Sequence, residues 1–132
     1  MTSSSWKKGG CHCGAVVWEA ETGDDIVVEE CNCSICQMIG FLHIIVPAAK
    51  FRLLYGKDHL TEYTFNTGVA KHLFCKTCGV KSFYIPRSNP DGVSLNLRCM
   101  DRRQFNTIET RPFDGQNWEA NADALAGLSK DE

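Results

Sequence analysis

The chain has 132 residues, 43% of them apolar and 23% charged, and 14 Lys plus Arg against 16 Asp plus Glu leave a net charge of -2. That length suits one compact domain and that composition an ordinary soluble globule, which excludes disorder and collagen-like structure. The near-neutral balance also lacks the dense positive field that a nucleic acid or an anionic membrane would require.

The first ten residues are polar, with neither the apolar stretch of a secretory signal nor the arginines of a transit peptide, so a reducing cytoplasmic or nuclear setting is expected. Short apolar stretches then recur between turn signals at residues 15–18, 26–28 and 41–46, a rhythm that predicts strands. The longest apolar run, residues 41–49, contains His43 and Pro47 and is far shorter than the roughly 20 residues that cross a bilayer, so no membrane span is predicted. A strand is predicted at residues 60–65, where Thr61, Tyr63 and Phe65 alternate with Glu62 and Thr64. Asn66-Thr67-Gly68 would turn it into a strand at 71–74. Residues 80–85 predict another strand, and residues 86–92, dense in Pro, Asn, Asp and Gly, an exposed loop. Val93, Leu95 and Leu97 then alternate with Ser94 and Asn96, the pattern of a half-buried antiparallel strand. Helical signal is confined to residues 118–128, where alanines and the pair Leu125 and Leu128 predict a short C-terminal helix that Gly127 weakens. With no solenoid-period repeat and no low-complexity linker, one mostly β domain is expected.

Eight cysteines, about 6% of the chain, fall below the roughly 8–10% of a short secreted disulfide scaffold, which favours metal or thiolate chemistry. Seven lie in three clusters: Cys11-His12-Cys13 before Gly14, Cys31-Asn32-Cys33-Ser34-Ile35-Cys36, and Cys75-Lys76-Thr77-Cys78 before Gly79. Zinc takes four soft ligands at tetrahedral corners, and two Cys separated by two residues reach one ion from a tight turn whose following Gly relieves backbone strain. Clusters of two, three and two divide most simply into a closed quartet, Cys11, Cys13, Cys75 and Cys78, and a trio, Cys31, Cys33 and Cys36. An ion held by the trio would keep one corner for water or an incoming thiol, the arrangement that separates catalytic from structural zinc. The alternatives are a second closed site completed by Cys99, disulfides, or a redox Cys-x-x-Cys; the last lacks a surrounding βαβ pattern.

The clusters sit in longer motifs: Gly10 through Ala15, Cys31 through Cys36, Thr64-Phe65-Asn66-Thr67, Phe74 through Val80, and Ser82-Phe83-Tyr84-Ile85-Pro86-Arg87-Ser88-Asn89-Pro90. In these the chain resembles the glutathione-dependent formaldehyde-activating enzyme family, and within it the centromere protein V branch, over residues 6–118, with 119–132 left as a helical tail. The resemblance implies a β-tent fold of antiparallel sheets pinned by zinc, and two zinc ions per chain. It implies Cys11, Cys13, Cys75 and Cys78 as structural ligands and Cys31, Cys33 and Cys36 as the functional site. The activity it implies is carbon–sulfur lyase chemistry on glutathione–aldehyde adducts, making or splitting S-hydroxymethylglutathione, with glutathione as the small-molecule partner. The centromere relatives carry a long N-terminal extension, so with only residues 1–9 before the first motif no chromatin or cytoskeletal role is expected. Cys99, where many bacterial relatives have no Cys, reads first as a buried small residue and otherwise as a fourth ligand or a reactive thiol.

Outside the clusters, His12 reads as a partly exposed ring over the knuckle. His43 is a satisfied core or surface histidine or, in the same cleft as the trio, a proton shuttle. His59 and His72 carry no pattern. Arg87, Lys71 and Arg98 are candidates for the carboxylates of glutathione, or solvated surface charge, and Tyr84 is core with a hydroxyl able to reach the cleft. The competing function classes are a non-catalytic zinc-stabilised module that binds a thiol or a protein partner, and a zinc ribbon for nucleic acid, which the charge balance disfavours.

Overall fold

A computed structural model describes residues 4–65, 68–86, 89 and 91–114. The chain forms β1 (Ser4–Gly10), β2 (Val17–Gly23), β3 (Asp25–Cys31), α1 (Ser34–Ile39), β4 (Leu42–Pro47), β5 (Phe51–Tyr55), β6 (Leu60–Tyr63), β7 (Lys71–Cys75), β8 (Phe83–Ile85), β9 (Gly92–Asn96) and β10 (Thr107–Phe113), with single 3-10 turns between some of them. Two sheets result, a small one in the order β1-β2-β5 and a large one in the order β10-β3-β4-β9-β8-β7-β6. The expected mostly β architecture with cysteine clusters able to hold zinc is present.

Burial along each strand follows its place in the sheet. Strand β2 buries Trp18, Ala20 and Thr22 and leaves the residues between them half-buried, the period-two signature of a strand with one covered face. Strand β9 lies between β4 and β8 and is buried along its whole length, so the half-buried strand read from Val93, Leu95 and Leu97 is corrected. Its polar residues face a covered polar layer, where Ser94 Oγ bonds His43 and Asn96 Nδ2 donates to the Lys81 carbonyl. Strand β6 is an edge strand and largely exposed.

Trp18 is fully buried and central to the main core. Its indole packs against Phe51 and Phe83 at centroid distances of 5.8 and 6.5 Å, and its Nε1 donates to Ser82 Oγ at 3.0 Å. A second, smaller cluster joins Cys36, Phe41 and Tyr84, with Cys31, Cys33 and Ile35 packed on it.

Several expectations are revised. The large sheet is mixed, because β10 pairs β3 in parallel, from Thr107 against Asp25 to Phe113 against Cys31; antiparallel sheets alone do not describe it. Pro112 fits because β10 is an edge strand, where a missing N–H removes no ladder bond. The strand expected at 15–18 begins at Val17, that at 60–65 ends at Tyr63, and that at 80–85 is only Phe83–Ile85, while β1, β5, α1 and β10 are additional to the expected elements. The loop after β8 is not simply exposed, since Pro86, Asn89 and Gly92 are buried. The C-terminal helix expected at 118–128 and the tail 119–132 lie outside the described residues. Among the described residues no helix is long and apolar enough to cross a membrane.

Candidate metal centres

The quartet lies between the two sheets. Cys11 and Cys13 occupy the connection from β1 to β2, whereas Cys75 ends β7 and Cys78 lies in the turn that follows. Gly14 and Gly79, one residue beyond each pair, take φ values of 83° and 75°, which a side chain would oppose. Lys76 N–H donates to the His59 carbonyl at 2.8 Å and Gly79 N–H to the Cys75 carbonyl at 2.8 Å, fixing the second turn. All four Sγ atoms lie within 4.8 Å of one another.

The spacing tests whether zinc fits. Bonds of about 2.3 Å to a tetrahedral ion put thiolate sulfurs about 3.8 Å apart, and Cys11 Sγ lies 3.7 Å from Cys13 Sγ, itself 3.6 Å from Cys75 Sγ. Backbone N–H groups point at the sulfurs, Val16 to Cys11 at 3.2 Å and Thr77 to Cys75 at 3.4 Å. Such donors favour thiolate over thiol. Those from Cys13 and Val80 hold Cys78 down to about 6, and those from Cys78 and Thr77 lower Cys75. The donor set therefore suits zinc.

The trio is built elsewhere in the large sheet, beyond the end of β3 rather than β7. Strand β3 ends on Cys31, Cys33 caps the N-terminus of α1, and Cys36 is buried inside that helix. Their Sγ atoms also lie within 4.8 Å of one another, and among the described residues the group ends at three. Hydrogen bonds from Cys31 and Cys36 hold the Cys33 thiol far below its ordinary range, and contacts with Cys31 and Cys33 drive Cys36 up. Cys31 and Cys36 line an open cleft of ≈ 440 Å³, bounded also by Phe41, Leu42 and the end of β10 at Pro112 and Phe113. Cys99 is elsewhere: it is half-buried, its Sγ is 3.9 Å from the Lys81 carbonyl, and burial followed by the charges of Cys11 and Cys78 pushes it up to about 11. It does not complete the second site.

A polar layer lies beside the trio. His43 is 4% exposed, with Nδ1 2.9 Å from Ser94 Oγ and 3.3 Å from Tyr84 Oη, while its Nε2 is buried with no partner among the described residues. The core histidine expected at this position is thus only half satisfied. Tyr84 stacks on His72 at 5.0 Å and meets Phe41 edge-on at 5.1 Å. Its hydroxyl contacts Cys36, and burial first, then the three thiolate charges, raises its pKa. His72 and Lys81 were missed in the sequence, yet both are buried, with Lys81 Nζ 2.6 Å from His72 Nδ1.

The cationic candidates are dispersed. Arg98 Nε donates to the Gly40 carbonyl at 2.7 Å, closing the C-terminus of α1, and Lys71 is exposed at the start of β7. Arg87 lies outside the described residues. His12 is exposed beside the first pair.

A family model described as glutathione-dependent formaldehyde-activating enzyme matches residues 6–115. The chain is also similar to the crystal structure of a Rhodobacter sphaeroides protein, at TM-score 0.67 and 34% identity, over 79% of this chain and 99% of that one.

Proposed function

The chain belongs to the glutathione-dependent formaldehyde-activating enzyme family, and from that premise we propose that it is a zinc-dependent carbon–sulfur lyase acting on glutathione–aldehyde adducts. The observation that carries this reading is the trio: three thiols gathered together, two of them, Cys31 and Cys36, lining an open cleft, with no fourth ligand among the described residues. In this reading Cys11, Cys13, Cys75 and Cys78 hold a structural zinc ion, and Cys31, Cys33 and Cys36 hold a second with one corner open.

When bound at the trio, zinc lowers the pKa of an incoming thiol and polarises an oxygen derived from the aldehyde. In the forming direction the glutathione sulfur bonds to the formaldehyde carbon. The carbonyl π pair becomes an alkoxide and takes up the proton that the thiol gave up. Cleavage of S-hydroxymethylglutathione is the reverse, and no electrons leave or enter. The chain's own residues orient and enclose: Phe41 and Phe113 give the cleft apolar walls, and α1 fixes two of the three sulfurs. Glu30 and Asp114 add acidic groups to the lining, which suits the ammonium of the γ-glutamyl end of the tripeptide. Thiol chemistry of this kind fits the reducing cytoplasmic or nuclear setting expected from the sequence.

Metal analysis is expected to give two zinc ions per chain, and the cobalt-substituted protein a charge-transfer band that responds to glutathione. Turnover of the adduct must accompany that band. A glutathione-dependent band without turnover assigns the chain to the non-catalytic binding modules, and a spectrum indifferent to glutathione overturns the open site.

A further inference from the structure

Two lysines among the described residues are buried, and their charges are met differently. Lys7, 2% exposed, holds Nζ 2.9 Å from Asp24 Oδ1, 2.9 Å from the Thr22 carbonyl and 3.0 Å from Ser5 Oγ. Lys81, 9% exposed, meets no carboxylate among the described residues. Its Nζ lies 2.6 Å from His72 Nδ1, 3.9 Å from the Tyr84 ring centre and 5.1 Å from that of Phe41. Burying an ammonium without a counter-charge is costly.

The groups of opposite charge that act on it are Cys36 and Cys33 of the trio. Phe41 and Tyr84, the rings against which the ammonium sits, form one cluster with Cys36, and Cys31 and Cys33 pack on it. The groups facing the ammonium are His72 from β7, Tyr84 from β8, His43 from β4, and Cys33 and Cys36 of the α1 segment. Burial, and after it the Lys81 charge, holds His43 down to about 3 and His72 down to about 4, so both rings are neutral near pH 7. Burial lowers Lys81 to about 8 against the pull of Cys36 and Cys33, which leaves it protonated there. Three thiolates outweigh a divalent ion by one negative charge, and a substrate thiolate would add another inside a poorly solvated site.

We propose that Lys81 is the buried counter-cation of the Cys31, Cys33 and Cys36 centre, a positioning residue whose charge lets a substrate thiol enter as its thiolate. The proposal rests on the reading of the trio as a thiol-binding zinc site and adds the group that offsets the charge of the bound sulfur. The full chain, cobalt-substituted, would be titrated with glutathione at successive pH values, as wild type and as Lys81→Gln, Lys81→Met and Lys81→Arg. Gln retains a hydrogen-bond donor for His72, and Arg retains the charge. The pH midpoint of the glutathione-dependent band is expected to rise by about one to two pH units in Gln and Met, and to stay within about half a unit in Arg. Loss of the trio ion in Gln and Met, with the quartet ion kept and the trio ion restored in Arg, would equally support a charge role. An unmoved midpoint in Gln or Met overturns the proposal, as does loss of the trio ion in all three variants, which assigns Lys81 to packing. Absence of the band in wild type rejects the thiol-site reading itself, and so separates the two failures.

Discussion

Cys13 Sγ stands 3.6 Å from Cys75 Sγ, although 62 residues separate them in the chain. One sulfur belongs to the connection between two strands of the small sheet and the other to the end of a strand of the large sheet, so an ion held by both would tie the two sheets together. Structural zinc contributes folding free energy directly, about 10–16 kcal/mol of apparent binding in isolated fingers. Cys75→Ser is therefore expected to lose one zinc equivalent and at least about 10 °C of Tm. Cys33→Ser is expected to lose the other equivalent and at least about 100-fold in turnover, with Tm within about 5 °C. Metal content and thermal unfolding of both variants check the division, and equal thermal losses would contradict it.

The two thiol groups were legible before any fold, because the reach of Cys-x-Cys or Cys-x-x-Cys to one ion is a property of a local turn. The polar layer beside the trio was not. Lys81 and His72 meet only because β7 and β8 pair in one register, with His72 opposite Tyr84, and neither residue has a periodic neighbour that marks it. Strand β10 escaped for a different reason. Its segment Thr107–Phe113 is polar and contains Pro112, which reads as loop until the partner Asp25–Cys31 is known, and parallel pairing leaves no turn signal behind. Strand β1 carries Lys7, Lys8, Gly9 and Gly10, a composition that hides a strand whose Lys7 is neutralised by Asp24 from the far end of the neighbouring hairpin.

Trp18 couples the sheets from within. Its ring is fully buried against Phe51 and Phe83, and its N–H is satisfied by Ser82. Trp18→Phe leaves both a void and an unpaired hydroxyl, for an expected loss of about 2–4 kcal/mol. Ser82→Ala strands only the indole N–H and should cost about 1–2 kcal/mol. Urea unfolding of the two variants measures the difference, and a larger loss for Ser82→Ala would reverse the assignment.

His43 makes stability depend on pH with a definite sign. Its ordinary pKa of 6.5 falls to about 3 in the fold, through burial first and then the Lys81 charge. Between those values the unfolded chain takes up a proton that the folded chain refuses, so stability is full above 6.5 and is lost as pH falls toward about 3, by at most about 1.4 kcal/mol per pH unit. His72, lowered to about 4, adds to the same window. Unfolding of wild type and His43→Asn at pH values from about 7.5 to about 5, with zinc content followed at each, is expected to show a shallower slope in the variant. Identical slopes would remove His43 from the account.

Arg98 separates a structural from a ligand-binding role for a cation near the cleft. Its Nε donates to the Gly40 carbonyl at 2.7 Å, and that residue both caps α1 and lines the cleft. The helix carries Cys36, so Arg98→Ala is expected to loosen the trio, with a loss of about 1 kcal/mol in stability and a few-fold weaker retention of the second zinc ion. Since its Nε is held by a backbone carbonyl, KM for glutathione should change less than twofold once zinc is saturating. A rise in KM of tenfold or more under saturating zinc, with unfolding unchanged, would instead identify Arg98 as the partner of a substrate carboxylate.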